Sequence, residues 1–438
     1  MSLANNAMGL GLRVLNRFAG LPVVDRLGLR KPAEKMLYQA TRSGFRTVGA
    51  LSRSFSATQK LVQPARLPSS RAPELFDVSP SEEQQMLRDT VQGFALEQLR
   101  THAAAADSAC AAPADLLKQS AELGISLMGV PEQLGGVGSE RSAVTNVLVA
   151  EAMAQGDMGL AVACLAPAAV STALVLWGNA EQQSKYLPAF VGDNGPAAAL
   201  AVLEPRALFD PFKLATRAYA AGGGYVLEGV KSLVPRAAEA ELFIVAAQLE
   251  DKGPALFLVE SSTQGLSVEA EPAMGLRAAS TGRLLLRDVR LPASALLSSV
   301  ESDIYAECIH LARLGCCALA TGTAQAVLDY VIPYVNERVA FGEPISHRQA
   351  VAFNVANIGI ELEGMRLLTL RAAGRAERGQ SFVRETALAR RLCADKGMAI
   401  GNDGVQLLGG HGYVKEHPVE RWYRDLRAAG FMEGVVLV

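Results

Sequence analysis

Glu433 stands between Ala428-Ala429-Gly430-Phe431-Met432 and Gly434-Val435-Val436-Leu437-Val438, a lone carboxylate in an apolar stretch. Taking a proton from the carbon beside a carbonyl needs a base held close and screened from water. Apolar surroundings make a carboxylate more basic, because desolvation disfavours its charge. The other reading of Glu433 is a surface glutamate. Upstream, Gly409, Gly410 and Gly412 in the run Gln406 to Gly412 permit positive φ and close backbone approach to a ligand; such a run also makes a plain turn. Arg338, in Asn336-Glu337-Arg338-Val339-Ala340-Phe341-Gly342, sits where a helix would end at a glycine turn. A guanidinium there suits a pyrophosphate, or it caps the helix C-terminus. Arg313 heads a Gly/Ala/Cys-rich helical run and reads either as an anion contact or as a buried ion pair with Glu307 or another acid.

Metal and nucleic-acid chemistry find little support. Cys110, Cys164, Cys308, Cys316, Cys317 and Cys393 show no CxxC spacing, and the five histidines show no HExxH spacing. The expectation is reduced, mostly buried thiols and no bound metal. A formal net charge of −2 argues against a nucleic-acid binder. No run of about 18 uninterrupted apolar residues is present, so a spanning helix is not expected.

These residues need elements to place them. Half of the 438 residues are hydrophobic and 20% are charged, enough for two or three packed units. Residues 1–72 read as a basic amphipathic extension and linker, with Arg13, Arg17, Arg26, Arg30, Lys31, Lys35, Arg42, Arg46 and Arg53 against Asp25 and Glu34. Three readings fit the extension: a transit peptide, a membrane-surface segment over residues 1–60, or a helical extension packed on its own protein. The Pro64–Pro73 run separates it from the body. Residues 73–196 read as a helical domain that starts at a Ser79-Pro80-Ser81-Glu82-Glu83 cap. Over 197–298 the period changes to short strands divided by Gly/Asp/Pro turns, and over 299–438 long helical patterns return. This order is not a βαβ alternation, so a Rossmann sheet is disfavoured.

From about residue 75 onward the chain resembles the acyl-CoA dehydrogenase family. The resemblance rests on the run from Gln406-Leu-Leu-Gly-Gly-His-Gly-Tyr413 through Glu420-Arg421-Trp422-Tyr423-Arg424-Asp425 to Glu433-Gly434, and on Arg338-Val-Ala-Phe341-Gly342. It implies an α+β fold: a helical domain, a central β-barrel-like domain and a C-terminal four-helix bundle. It implies FAD-dependent α,β-dehydrogenation of an acyl-CoA thioester to a trans-2-enoyl-CoA, with Glu433 as the catalytic base. By the same resemblance Val202, Leu203, Leu233, Arg338, Phe341, Gln349, Gln406, Gly409 and Gly410 would bind FAD, the glycine loop serving a neighbouring subunit. Arg313 and Met432 would bind substrate, while Glu420, Arg421, Arg424 and Asp425 would form structural ion pairs. A homodimer or homotetramer and an electron-transfer flavoprotein as acceptor follow as expected partners. The expected address is the cytoplasm of a bacterial-type cell, with membrane association and the mitochondrial matrix as alternatives.

The flavin-facing strands depart from the family pattern. Leu203 stands for a threonine, Leu208-Phe209 for a Gly-Ser pair, Leu233 for a tryptophan, and Pro235 for a threonine beside the reactive flavin nitrogen. Proline offers neither hydroxyl nor backbone N–H. Each lost hydrogen bond is worth roughly 0.5–1.5 kcal/mol net. The replacements are apolar and leave no orphaned donor, which fits a differently held flavin, a site completed by a partner subunit, or a fold without the chemistry. Two alternatives to the dehydrogenase are therefore a non-catalytic partner subunit and a flavin oxidase on the same fold.

Overall fold

The computed structural model describes residues 78–438 apart from 128, 137–140, 192–194, 251 and 298–302. The basic extension, with its expected membrane contact through residues 1–60, lies outside the described residues.

Helix α1 (Glu82–Phe94) begins at a capping box in which the Ser81 hydroxyl accepts from the Gln84 N–H and the Gln84 side chain answers to the Ser81 N–H. It continues through a π-helical turn, Ala95–Leu99, into α2 (Arg100–Ala109), followed by α3 (Ala114–Glu122). Helix α4 (Ala143–Gly156) and helix α5 (Met158–Trp177) meet at Asp157, whose side chain caps α5 by accepting from the Leu160 N–H. Both are apolar on nearly every face, as helices at the centre of a domain are. Helix α6 (Ala180–Phe190) closes this part behind a second capping box on Asn179.

The middle part is one eight-stranded sheet: β1 (Ala198–Ala201), β2 (Arg217–Ala221), β3 (Gly224–Val234), β4 (Leu242–Leu249), β5 (Gly253–Glu260), β6 (Leu266–Ala270), β7 (Gly282–Pro292) and β8 (Leu296–Leu297). The order is β6-β7-β3-β2-β4-β5-β8, with β1 parallel to β4. The expected barrel-like domain is thus an open sheet, since β6 and β8 do not pair with each other. Strand β3 shifts register against β7 between Leu227 and Gly229 and again between Lys231 and Val234, so its end bends away from the ladder. Leu233, on that bent end, has φ of 50°.

Helix α7 (Ile304–Glu337) is the axis of the last part. Its small residues allow close packing: a Cβ at Gly322 would run into the Glu151 carbonyl of α4, and one at Gly315 would meet Val436 Cγ2 at 2.6 Å. A short hairpin, β9 (Val339–Ala340) with β10 (Glu343–Pro344), leads into α8 (Gln349–Glu377), α9 (Val383–Leu408) and α10 (Val419–Leu426). The bundle has three long helices, and the eight-residue α10 packs across them through the fully buried Trp422. Helices α5 and α7 are long and apolar enough to cross a membrane, yet 89% and 83% of their most apolar windows are buried inside the protein, as core helices are.

Candidate active site

Glu433 is 5% exposed and both its oxygens are engaged. Arg313, from α7, donates its Nε to both oxygens at 3.0 Å and its Nη2 to Oε1 at 2.8 Å. Arg390, from α9, brings Nη2 to 3.0 Å from the same Oε1. The carboxylate is therefore buried, as its apolar sequence neighbours implied, but it is held by two guanidiniums rather than standing alone. Arg313 takes Glu433 as its acid; Glu307 instead accepts from Trp177 Nε1 at 3.0 Å. The Arg313 guanidinium also lies 5.9 Å over the Phe212 ring.

The end of β1 and the bent end of β3 meet beside Glu433. A Cβ on Gly434 would strike the Val202 side chain, so Val202 abuts the chain just after the base. Leu203 and Met432 pack in one apolar cluster with Leu233 at its border. The two strand ends are fastened by Lys231, whose Nζ reaches the Val202 carbonyl at 3.1 Å and Glu204 Oε1 at 2.9 Å. Complete burial pulls the Lys231 ammonium down to about 8. Burial works against the Glu204 charge, yet Lys231 and the N–H groups of Ala215 and Thr216 hold its carboxyl below the usual range.

Leu233 and Met432 also line a cleft of about 220 Å³ with Met274, Leu276, Thr281 and Phe431. Its walls are mainly apolar, and Arg424 and Arg427 stand at its edge. A flat aromatic ring system fits such walls. Donors to that ring are scarce: the Leu233 N–H already goes to Glu271 at 2.8 Å, the Ser232 N–H goes to the Leu203 carbonyl at 2.9 Å, and Pro235 has none.

The remaining expected cofactor residues gather at the far end of the bundle. Arg338 caps α7, and Phe341, with φ of 54° and 96% of its surface open, follows in the hairpin turn. Gln349, Gln406, Gly409 and Gly410 are exposed too. Tyr334 ties the glycine loop to the end of α7: its hydroxyl lies 2.8 Å from His411 Nδ1 and 3.4 Å from the Leu408 carbonyl. Arg313 lies nine residues into α7 and Arg338 caps its C-terminus, about 37 Å apart at about 1.5 Å per residue. Within one chain the Arg338 group is therefore remote from Arg313 and from the Glu433 that Arg313 holds.

The ion pairs after the glycine loop are structural. Arg421 meets Asp157 at 2.9 Å, and Arg424 meets Asp107 and Glu420 at 2.8 Å; Asp425, expected in an ion pair, instead accepts the Leu276 N–H on Oδ1 at 2.6 Å. Burial, with the Asp157 carboxylate next to it, pushes the Asp425 carboxyl up to about 8. Sequence reasoning did not find Arg390 or the Lys231–Glu204 pair. Arg390 is one of two adjacent arginines on an amphipathic helix, with no spacing signal toward Glu433. Lys231 and Glu204 lie 27 residues apart in the sequence, and only the fold brings them together.

Residues 81–193 match the acyl-CoA dehydrogenase N-terminal domain family, 199–289 the middle domain and 303–436 the C-terminal domain. The chain is 35% identical over 362 residues to the mitochondrial short-chain specific acyl-CoA dehydrogenase of Bos taurus, covering 81% of this chain and 87% of that protein. Its fold is similar to that of butyryl-CoA dehydrogenase from Megasphaera elsdenii, with a TM-score of 0.74 and 27% identity over 81% of this chain and 95% of the other. It is also similar to a glutaryl-CoA dehydrogenase from Mycobacterium smegmatis in complex with FADH2, with a TM-score of 0.73 and 25% identity over 80% and 90% of the two chains. The family is FAD-dependent, and its members are oxidoreductases acting on CH–CH bonds. With three matched domains in order and Glu433 buried where the β-sheet meets the bundle, the chain belongs to the acyl-CoA dehydrogenase family.

Proposed function

We propose that the chain oxidises a short acyl-CoA thioester to the trans-2-enoyl-CoA, with Glu433 as the base. The observation that carries this reading is the placement of Glu433: 5% exposed and next to the Val202–Leu203 strand end and the Leu233–Met432 cleft. Glu433 would take the α-proton, and burial would keep water from competing for it. FAD, when bound, supplies the acceptor for the hydride leaving the β-carbon. Leu233, Leu276, Thr281 and Met432 would enclose its ring, while Arg338, Phe341, Gln406, Gly409 and Gly410 of a second copy would hold its pyrophosphate and adenosine. That division is why we propose a homo-oligomer. Arg313 would leave Glu433 for the thioester's CoA portion as substrate enters, and an electron-transfer flavoprotein would collect the electrons.

A short acyl group is favoured by the similarity to a short-chain specific enzyme.

A second reading, a partner subunit without chemistry, is favoured by the two arginines on Glu433 and by the missing donors at Leu203 and Pro235. The absorption spectrum of the purified protein, recorded without oxygen before and after adding butyryl-CoA, separates the two. A flavin band that bleaches supports the dehydrogenase. A protein that takes up no FAD on reconstitution supports the partner subunit.

A further inference from the structure

A cavity of about 190 Å³ lies between α3, α5, the segment leading into β1 and the turn that joins β3 to β4. It shares no lining residue with the Leu233–Met432 cleft, and the proposed reaction makes no use of it. Among the described residues that line it are two cations, Lys118 and Arg236, and no acid. Leu117 and Pro167 supply apolar wall, and Ser120 and Cys164 supply small polar groups.

The Ser120 hydroxyl is buried without a hydrogen-bond partner, in a residue that is 2% exposed. A buried polar group left unanswered is costly. The Cys164 thiol lies next to it but is only a weak acceptor. Burial pushes that thiol up to about 11, so it is neutral and brings no negative charge to the cavity.

Arg236 stands on the same thiol, since its charge acts on Cys164 as the Ser120 hydroxyl does. One small anion can therefore reach both. The Arg236 Nε and Nη2 donate to Glu239 Oε2 at 3.0 and 2.8 Å, while the side chain as a whole is 13% exposed. Those bonds occupy part of a fork that presents five N–H donors, so donors remain for a second acceptor. A buried anion needs a cation and hydrogen bonds to offset its desolvation, and Arg236 with Ser120 offers both. The volume is below the range of drug-sized ligands, about 300 Å³ upward, and suits a molecule of a few heavy atoms. The Leu117–Pro167 wall asks that part of that molecule be hydrocarbon.

We infer that this cavity is a second ligand site, taking a short aliphatic carboxylate whose charge meets Arg236 and Ser120 and whose tail lies along Leu117 and Pro167. The site goes beyond the proposed dehydrogenation and does not depend on it.

The test is isothermal titration calorimetry of the full chain with sodium butyrate at fixed ionic strength. Butyrate should bind saturably, in the millimolar range or tighter. Butyramide has the same shape without the charge and should bind at least about tenfold more weakly. Arg236→Gln should weaken butyrate by at least about tenfold, the effect of losing one hydrogen bond to a charged group, and Ser120→Ala should weaken it too. Arg313→Gln, a change at the Glu433 site, should leave this binding within about threefold of wild type. No saturable binding by the wild type, as for a cavity that holds water alone, overturns the inference. So does butyramide binding as tight as butyrate, or butyrate binding that Arg313→Gln removes and Arg236→Gln leaves. If Arg236→Gln does not fold by circular dichroism, Ser120→Ala decides, and butyrate affinity equal to wild type overturns the site. None of these outcomes bears on Glu433, whose role is read by turnover.

Discussion

Lys231 and Glu204 form an ion pair that solvent does not reach, with Nζ 2.9 Å from Oε1 and side chains 0% and 3% exposed. The pair pins the end of β3 to the segment after β1, so the two backbones that face the proposed flavin and substrate cannot drift apart. Removing one partner of such a pair leaves an uncompensated buried charge and costs about 3–5 kcal/mol. Lys231→Met should therefore lower the unfolding free energy by about that amount in urea denaturation, and the double variant Lys231→Met/Glu204→Gln should regain part of it. A loss below about 1 kcal/mol would show that the pair adds little.

Glu433→Gln keeps the shape and loses the base. It should reduce kcat on butyryl-CoA by at least about 100-fold, within the range of lost general-base catalysis. It should also lower the melting temperature, because Arg313 and Arg390 lose their buried acid, so the rate is read well below the transition. Full activity in that variant would remove Glu433 from the mechanism.

Pro235→Thr returns a backbone N–H and a hydroxyl beside the cleft at Leu233. Two hydrogen bonds at roughly 0.5–1.5 kcal/mol each should tighten FAD binding by about tenfold or more in fluorescence titration. Unchanged affinity would place the flavin away from this turn.

The separation of Arg313 from Arg338 along α7 predicts complementation between copies. Glu433→Gln and Arg338→Ala, each inactive alone, should recover activity when unfolded together and refolded as mixed oligomers, because one chain then supplies an intact base and the other an intact pyrophosphate grip. Mixed samples as inactive as the separate ones would mean that each chain serves its own FAD.

Asp425 gives a pH prediction. Its carboxyl is raised from 3.8 to about 8 by burial and by Asp157, so between those values the folded protein holds a proton that the unfolded chain has lost. That contribution to stability is fully present below about pH 4 and is lost as pH rises through about 8. Asp425→Asn has no proton to lose there. Urea midpoints of the wild type should thus fall relative to Asp425→Asn between about pH 4 and 8, and parallel profiles would refute the linkage.

Much of this was legible in the residues, for identifiable reasons. Helices α7, α8 and α9 show in apolar periodicity, and the strands in short β-branched and leucine runs, because both patterns follow from which face is buried. Glu433 was legible because its setting, between Ala428–Met432 and Gly434–Val438, is local in sequence. Its ion pairs were not. Arg313 lies 120 residues upstream of Glu433, and Arg390 approaches from a third element, so only the packing of α7 against α9 shows that the carboxylate is shared. The open edges of the sheet were equally hidden, because strand composition does not say whether the first and last strands pair.

The cluster around Asp157 has one more consequence. Asp157 joins α4 to α5, Leu276 lies between β6 and β7, and Asp425 and Arg421 belong to α10, so a single knot of buried charge and one backbone N–H ties the two helical parts to the sheet. Excising either helical segment would break the buried Arg421–Asp157 pair, and excising the sheet would take away the N–H that Asp425 accepts. The protein is thus not modular despite its three-part layout, and it should melt in one transition and evolve its recognition surfaces only around an intact knot.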